Sequence, residues 1–503
     1  MTIEPWTLEE KKKQSRSESG SSESATTEDA SAPYYNPKGL NWFVTGLFVV
    51  GDLAGGGIVA LPTAIIQSEL YYGIILFVVM LFCVTYTAYV LGLSWNILLN
   101  SWPEYRHHCR KPYPEIGRRA LGPLCGKLVS LCIDVTQFGI AVVYIILCAN
   151  NIHNFLKQFC HVEFSFCLLI LIIAGLLLPV TFLKSPQDFW WAVVIAMITT
   201  SCAVVLIVVG SAIDLGTCSH ISQMPDFRVT NIFLALGTFL FSFGGHPAFP
   251  TIQHDMKNPK EFTKSVALAF SIMAVMYVPV CFMGWYVYGD SLRDSVIPSI
   301  QTVGIQQAIN LLITVHCFLT LTIVFNPINQ EVEDLFHVPQ KFCWQRVVVR
   351  TSILLAVVFV AESVPTFGPL LDLVGGSTLT LTSVILPCLF YLFLNANKQK
   401  TKATGKLTNE VATLSEVWRY NSKITVAICI FVMAFGLFGG GAATYSAIKE
   451  LTTTQFKYPC YLFKKSADVS SESATNCCGP FQNVSIFNNI AKCSAPDLNF
   501  YNT

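Results

Sequence analysis

Apolar residues along the chain fall into long runs, and short polar stretches separate one run from the next. Eleven such runs lie near residues 42–66, 70–96, 128–150, 164–183, 190–213, 231–251, 265–288, 304–328, 348–364, 367–394 and 424–447. Each is close to the ~20 residues with which a helix crosses ~30 Å of hydrocarbon. A membrane β-barrel would instead alternate polarity over strands of ~10 residues. The pattern predicts an all-α polytopic membrane protein with eleven transmembrane helices.

Composition agrees with this, since 13% of the 503 residues are charged and 53% are hydrophobic, against roughly 25% charged in an ordinary soluble domain. A net charge of +1 gives no reason to expect a nucleic-acid partner. The distribution of charge says more than the total. Counting Arg350, at the start of the ninth run, with the loop before it, the 32 Lys and Arg lie at or beyond the span ends, 24 on one face and 8 on the other. The basic face is cytoplasmic by the positive-inside rule, which puts the N-terminus in the cytoplasm and the C-terminus on the extracellular or luminal side. Residues 1–40, dominated by Ser, Glu, Lys and Thr from Lys11 to Ala32, read as a disordered cytoplasmic tail. Residues 41–447 form the membrane domain, and 448–503 a Cys-rich outer tail.

Of 18 cysteines, those expected on the outer side are Cys160, Cys218, Cys460, Cys477, Cys478 and Cys493. An even number in an oxidising compartment predicts disulfides among them, with the connectivity left open. Asn483-Val484-Ser485 is an N-glycosylation sequon in the same tail.

Two runs are interrupted in mid-membrane. The first contains Gly51-Asp52-Leu53-Ala54-Gly55-Gly56-Gly57-Ile58-Val59-Ala60-Leu61-Pro62, and the sixth Ser242-Phe243-Gly244-Gly245-His246-Pro247-Ala248-Phe249-Pro250. Inside a helix each glycine costs about 1 kcal/mol relative to alanine, and a proline about 3 kcal/mol. Close helix packing explains a single glycine; these clusters predict unwound backbone, which a membrane tolerates only in a protein interior or beside a water-filled cavity. The breaks open two five-span blocks, repeat one (42–213) and repeat two (231–394), with helix eleven (424–447) added. An odd number of spans per block inverts the second block, the arrangement of carriers that bind substrate between discontinuous helices. A channel selectivity loop is the competing account.

The half-helix beginning near Ile58 offers free N–H groups to a carboxylate, and the half-helix ending near Phe243 offers carbonyls to an ammonium. Apart from Arg350 at the edge of the ninth run, no Lys or Arg lies in a predicted span, so the expected ligand is a zwitterion held mainly by backbone dipoles. Asp52, Asp134, His246, His316 and Asp372 are ionisable groups within the apolar runs, where such groups are functional by default. Asp52 could carry a proton as its surroundings alternate between dry and wet, or cap the exposed amides. His246 could do the same or fill polar space. Asp134 and Asp372 anchor helices or line a vestibule, and His316 reads as a packed, hydrogen-bonded histidine. Thr320 and Thr322 could supply hydroxyl ligands to Na⁺.

With these residues the chain resembles the amino acid/auxin permease family. The resemblance covers about residues 40–447 and rests on the Gly-rich segment closing in Ala60-Leu61-Pro62, on Phe241-Ser242-Phe243-Gly244-Gly245-His246 with Met256-Lys257-Asn258-Pro259, on Asn326-Pro327 with Glu331 or Glu333, on Ala361-Glu362-Ser363-Val364-Pro365 and on Leu386-Pro387-Cys388-Leu389-Phe390-Tyr391-Leu392. It implies a LeuT-type 5+5 inverted repeat plus one helix, with helices 1 and 6 broken, and amino acid transport coupled to H⁺ or Na⁺. It also implies that Ala54, Gly55, Gly56, Gly57 and Ile58, with Phe241, Ser242, Phe243, Gly244 and Gly245, frame the substrate and that Tyr144 faces it.

The expected function is secondary active transport of small neutral amino acids by alternating access. The expected coupling ion is H⁺, with Asp52, His246, Thr320 and Thr322 as coupling-ion candidates and Na⁺ coupling or a sensing transceptor as alternatives. The protein should be no enzyme and need no cofactor or bound metal. It should work as a monomeric unit in lipid, at the plasma membrane or an endolysosomal membrane, with an amino acid as partner and no nucleic acid.

Overall fold

The first helix begins where its sequence supplies a cap. Asn41 is extended and its side-chain oxygen accepts the Val44 N–H at 2.8 Å, satisfying one amide that a helix start leaves without an intrahelical partner. Helix α1 (Trp42–Leu53) runs to the glycine cluster, and α2 (Gly56–Gln67) resumes beyond Ala54 and Gly55 with a bend of 65°. There follow α3 (Leu70–Ser101), α4 (Pro112–Leu121), α5 (Pro123–Phe155), α6 (Phe166–Thr181) and α7 (Trp190–Cys218). A second interruption separates α8 (Val229–Ser242) from the short α9 (Phe249–His254). The rest comprises α10 (Phe262–Tyr288), α11 (Val303–Leu335), α12 (Trp344–Ser363), α13 (Gly368–Val374), α14 (Leu386–Thr404), α15 (Leu414–Tyr420) and α16 (Lys423–Thr452). Two π-helical turns, Gly375–Leu379 and Leu381–Ile385, join α13 to α14.

This computed structural model describes residues 34–37, 39–107, 109–160, 164–182, 190–339, 343–405, 410–453, 456–462, 473–486 and 489–501. Residues 1–33 of the expected cytoplasmic tail lie outside the described residues. Among the described residues the elements are helical, with isolated bridges and no named strand. Seven helical stretches are long and apolar enough to cross a membrane, eight if α1 and α2 form one bent span. Helices α6, of 16 residues, and α8, of 14, are apolar but shorter.

The core sits where the interrupted helices meet their neighbours: α1 packs on α10, α2 on α8, and α11 on both α5 and α7. Two polar ties fix this packing. Thr238 donates to the Asp372 carboxylate at 2.5 Å, joining α8 to α13. Glu333, near the end of α11, receives Arg346 at 2.8 Å and Arg350 at 2.6 Å from α12. All three side chains are buried, and Arg350 also donates to the Thr181 carbonyl at the end of α6.

The C-terminal tail is folded against the end of the molecule opposite the N-terminal half of α1. Three disulfides hold it, Cys167–Cys460, Cys218–Cys478 and Cys477–Cys493. The expected participation of Cys160 is corrected, because Cys160 is a free, exposed thiol and Cys167 bonds Cys460. Cys167 is the second residue of α6, so its sulfur lies at the helix start, beside the tail, although the apolar run 164–183 places it within a span. In unreduced, solubilised protein a maleimide is expected to modify Cys160 and to spare Cys167 and Cys460, read by peptide mass. Labelled Cys167 would contradict the pairing.

Candidate functional site

At the first break Ala54 and Gly55 have left helical backbone, and at the second α8 ends in Ser242. The glycines are there because other atoms occupy the space of a side chain. A Cβ on Gly55 would lie 2.5 Å from both His316 Nε2 and the Tyr144 hydroxyl, and one on Gly56 would lie 3.0 Å from Tyr144. A Cβ on Gly57 would strike the Ser242 hydroxyl. The two breaks are thus in backbone contact, with α5 and α11 closing over the first.

Beside them is a cavity of about 660 Å³, within the ~300–1,000 Å³ of small-molecule sites. Asp52, Leu53, Tyr144, Phe241, Gly244, Gly245 and Thr320 line its deep end, and Arg110, Lys111, Asp134, Asp255 and Glu331 line its mouth. Lys111 pairs with Glu331, and Arg110 with Asp334 at 2.6 Å, so both cations at the mouth have carboxylate partners. Toward the other end of α11 the path is filled by buried amides. Asn310 donates to Gln307 at 3.0 Å, Gln307 to Gln306 at 2.9 Å, and Gln306 to the Pro298 carbonyl at 3.0 Å. The tail caps this end, Gln301 donating to the Asn476 carbonyl at 3.0 Å.

The sequence-predicted residues divide into those on the cavity wall and those behind it. Tyr144, Phe241, Gly244 and Gly245 line the cavity, as do the coupling candidates Asp52 and Thr320. Ala54, Gly55, Gly56, Gly57, Ile58, Ser242 and Phe243 are buried and do not line it. The Asp52 carboxyl has no hydrogen-bond or ion-pair partner among the described residues. His246 is turned away toward α3, its Nε2 lying 2.9 Å from the Thr87 hydroxyl and 3.1 Å from the Val84 carbonyl. Thr322 donates to the Leu319 carbonyl of its own helix at 2.7 Å.

The carbonyls expected to be free at the end of α8 are mostly engaged. Phe239 accepts the Phe243 N–H, Phe241 accepts the Gly244 N–H, and Ser242 accepts the Tyr277 hydroxyl at 3.0 Å. His316 is buried and hydrogen-bonded, as the sequence suggested, and the structure adds its partners. Its Nδ1 is 3.1 Å from the Ala196 carbonyl and 2.8 Å from the Thr200 hydroxyl. A carbonyl only accepts, which assigns the ring proton to Nδ1. Nε2 is left as an acceptor, 3.3 Å from the Thr320 hydroxyl. The spacing of His316 and Thr320, i and i+4 on one helix face, is the signal that could have placed them together.

The family described as "Transmembrane amino acid transporter protein" matches residues 38–446. Among relatives, "Amino acid transporter AVT1D" of Arabidopsis thaliana is 26% identical over 79% of this chain and 68% of its own length. "Amino acid transporter AVT1J" of the same plant is 24% identical over 73% and 86%, and "Lysine histidine transporter-like 6" 25% identical over 84% and 93%. A solved structure described as the substrate-bound outward-open state of a Na⁺-coupled sialic acid symporter aligns with a TM-score of 0.47 at 14% identity, over 83% of this chain and 91% of that one. The named relatives are transporters rather than enzymes, and the apolar helices match an integral membrane protein. Residues 38–446, which hold both interrupted helices and the cavity between them, make this chain a member of the transmembrane amino acid transporter family.

Proposed function

We propose that the protein is a secondary active transporter of small neutral amino acids, coupled to protons and working by alternating access. The observation that carries this reading is the meeting of the two interrupted helices at the deep end of one cavity, with the unpartnered Asp52 carboxyl on its wall. A zwitterion suits that end. The first turn of α2 lies behind the wall, but the positive end of its dipole and the Tyr144 and Thr320 hydroxyls on the wall favour a carboxylate, while Asp52 attracts an ammonium. The cations in the cavity wall, Arg110 and Lys111, lie at the mouth and are paired with acids, so nothing at the deep end selects an acidic side chain. Phe241, Leu53 and Tyr144 leave a small apolar surface for a neutral one.

In this reading the eleven predicted runs all cross the bilayer as two inverted blocks of five and a final helix, in a monomeric unit surrounded by lipid. The basic face and the cavity mouth are cytoplasmic, so the present arrangement is inward-facing. The exposed Asn483 then faces the compartment in which N-glycans are added, at the plasma membrane or an endolysosomal membrane.

Purified protein in liposomes tests the reading. Labelled neutral amino acids should exchange saturably, and in Na⁺-free buffer an inward pH gradient should raise uptake. Asp52→Asn is expected to reduce that stimulation by roughly 5–150-fold, the span of ordinary coupling free energies. Binding without exchange would point to a transceptor, and uptake that requires Na⁺ and ignores pH would exclude proton coupling.

A further inference from the structure

The place beside the first break where an oxygen-lined cation site was expected is filled by an imidazole. Resting on the transport reading above, we propose that His316 is a second proton-coupling residue, behind the cavity wall, that takes up the transported proton on Nε2 and passes its charge state to the unwound backbone at Gly55.

Four observations carry this. First, the ring is fully buried and bridges the interrupted first helix and two continuous ones. It touches the break at Gly55, stands edge-on to Tyr144 of α5 at 6.5 Å between centroids, and is anchored on α7 through Ala196 and Thr200. Second, that anchor fixes the tautomer, so the open lone pair belongs to Nε2, the atom nearest the break. Third, Tyr144 and Thr320 both contact His316 and both line the cavity. Each hydroxyl can therefore stand between cavity water and the ring, since a hydroxyl both donates and accepts. Fourth, the oxygen ligands that a hard cation needs are not assembled here. Thr320 is turned to Nε2, and Thr322 to its own helix.

The surroundings of the ring decide what a charge on it would meet. Asp52 comes from α1, Tyr144 and Cys148 from α5, Tyr277 from α10, Cys317 from α11 itself, and α7 contributes Ala196 and Thr200. Neither Lys nor Arg is among these described groups. Asp52, which interacts with the same Tyr144, is the carboxylate among them that can balance an imidazolium. The step is a proton transfer alone: a proton from cavity water reaches Nε2 through the Thr320 or Tyr144 hydroxyl, Nδ1 keeps its own, and the added proton later returns to water. Protonation converts Nε2 from acceptor to donor beside Thr320 and the unwound Gly55. That difference is what a ligand needs to bias one backbone arrangement over another.

The test uses the full chain in liposomes with three proteins: wild type, His316→Asn, whose amide can reproduce the Nδ1–H donor to Ala196, and Thr200→Val, which removes one of the two Nδ1 partners outside the cavity. In His316→Asn the ratio of pH-gradient-driven uptake to exchange should fall about tenfold, within the ordinary range of coupling. In Thr200→Val the pH midpoint of uptake should move while KM for the amino acid stays put. An unchanged ratio in His316→Asn would overturn the inference. Should that variant fail to fold, an unmoved midpoint in Thr200→Val would overturn it equally. A wild type that exchanges no amino acid would instead sink the transport reading.

Discussion

Gly57→Ala is expected to reduce amino acid uptake by about 100-fold per molecule in the membrane, the scale on which a displacement of ~1 Å at a site acts. The added Cβ would meet the Ser242 hydroxyl and would stand 2.8 Å from Ser242 Cα and 2.9 Å from its Cβ. Backbone atoms cannot swing aside as the tip of a long side chain can. Ser242 has little freedom either, because its hydroxyl donates to the Thr238 carbonyl at 2.7 Å and its carbonyl accepts from Tyr277 at 3.0 Å. The strain must part α2 from α8, and with them the two breaks that bound the cavity. Gly441→Ala in α16, where nothing lies within 4 Å of the new atom, is the matched control. Uptake of both, normalised to surface protein, checks the expectation; equal uptake would mean that the breaks need no backbone contact.

The largest effect on stability is expected from Glu333→Ala. Glu333 is 2% exposed, Arg346 6% and Arg350 1%, so removal of the carboxylate strands two guanidinium groups in the interior. Breaking a buried ion pair by deleting one partner costs about 3–5 kcal/mol, enough to deplete mature protein and to lower the melting temperature in detergent sharply. Replacing a whole buried ionic group by apolar residues is often neutral. The triple variant Glu333→Met, Arg346→Leu, Arg350→Met is therefore expected to regain much of the lost stability, measured by size-exclusion recovery after a heating step. A triple variant as unstable as Glu333→Ala would show that Arg350 matters mainly through the Thr181 carbonyl.

Helix positions were legible because a membrane-crossing segment must be long and apolar. The glycine triplet marked the first interruption less uniquely, since Gly439-Gly440-Gly441 stays helical within α16. Which face of each helix turns inward was not legible. On α7, Ala203 and Ile207 are buried while Val205, Val209 and Ile213 are exposed, yet all five are apolar, since lipid and protein interior ask for the same chemistry. Periodicity that orients a helix in water is absent here. Boundaries drawn at charges failed for a related reason. The predicted fifth run stops at 213 because Asp214 follows, but α7 continues to Cys218, with Asp214 buried and accepting from the Tyr288 hydroxyl at 2.6 Å and the Gln301 N–H at 2.9 Å. Arg350 was likewise placed at a cytoplasmic edge and is instead enclosed between three helices. In each case a distant partner, invisible in linear order, makes the buried charge tolerable. At the site, the same blindness hid the partners of His316, a residue read as packed and hydrogen-bonded, which come from α7.

The tail also sets an order of events in the making of the molecule. Cys460 follows its partner Cys167 by 293 residues, and Cys478 follows Cys218 by 260. Helices α6 and α7 thus wait for residues 293 and 260 positions further on before these cysteines are tied. A chain cut short after α16 would keep every apolar helix and the cavity, yet two of its cysteines would remain unoxidised thiols at the surface. Arrival of the tail through Cys478 is thereby written into the oxidation state of Cys167 and Cys218 in the first half.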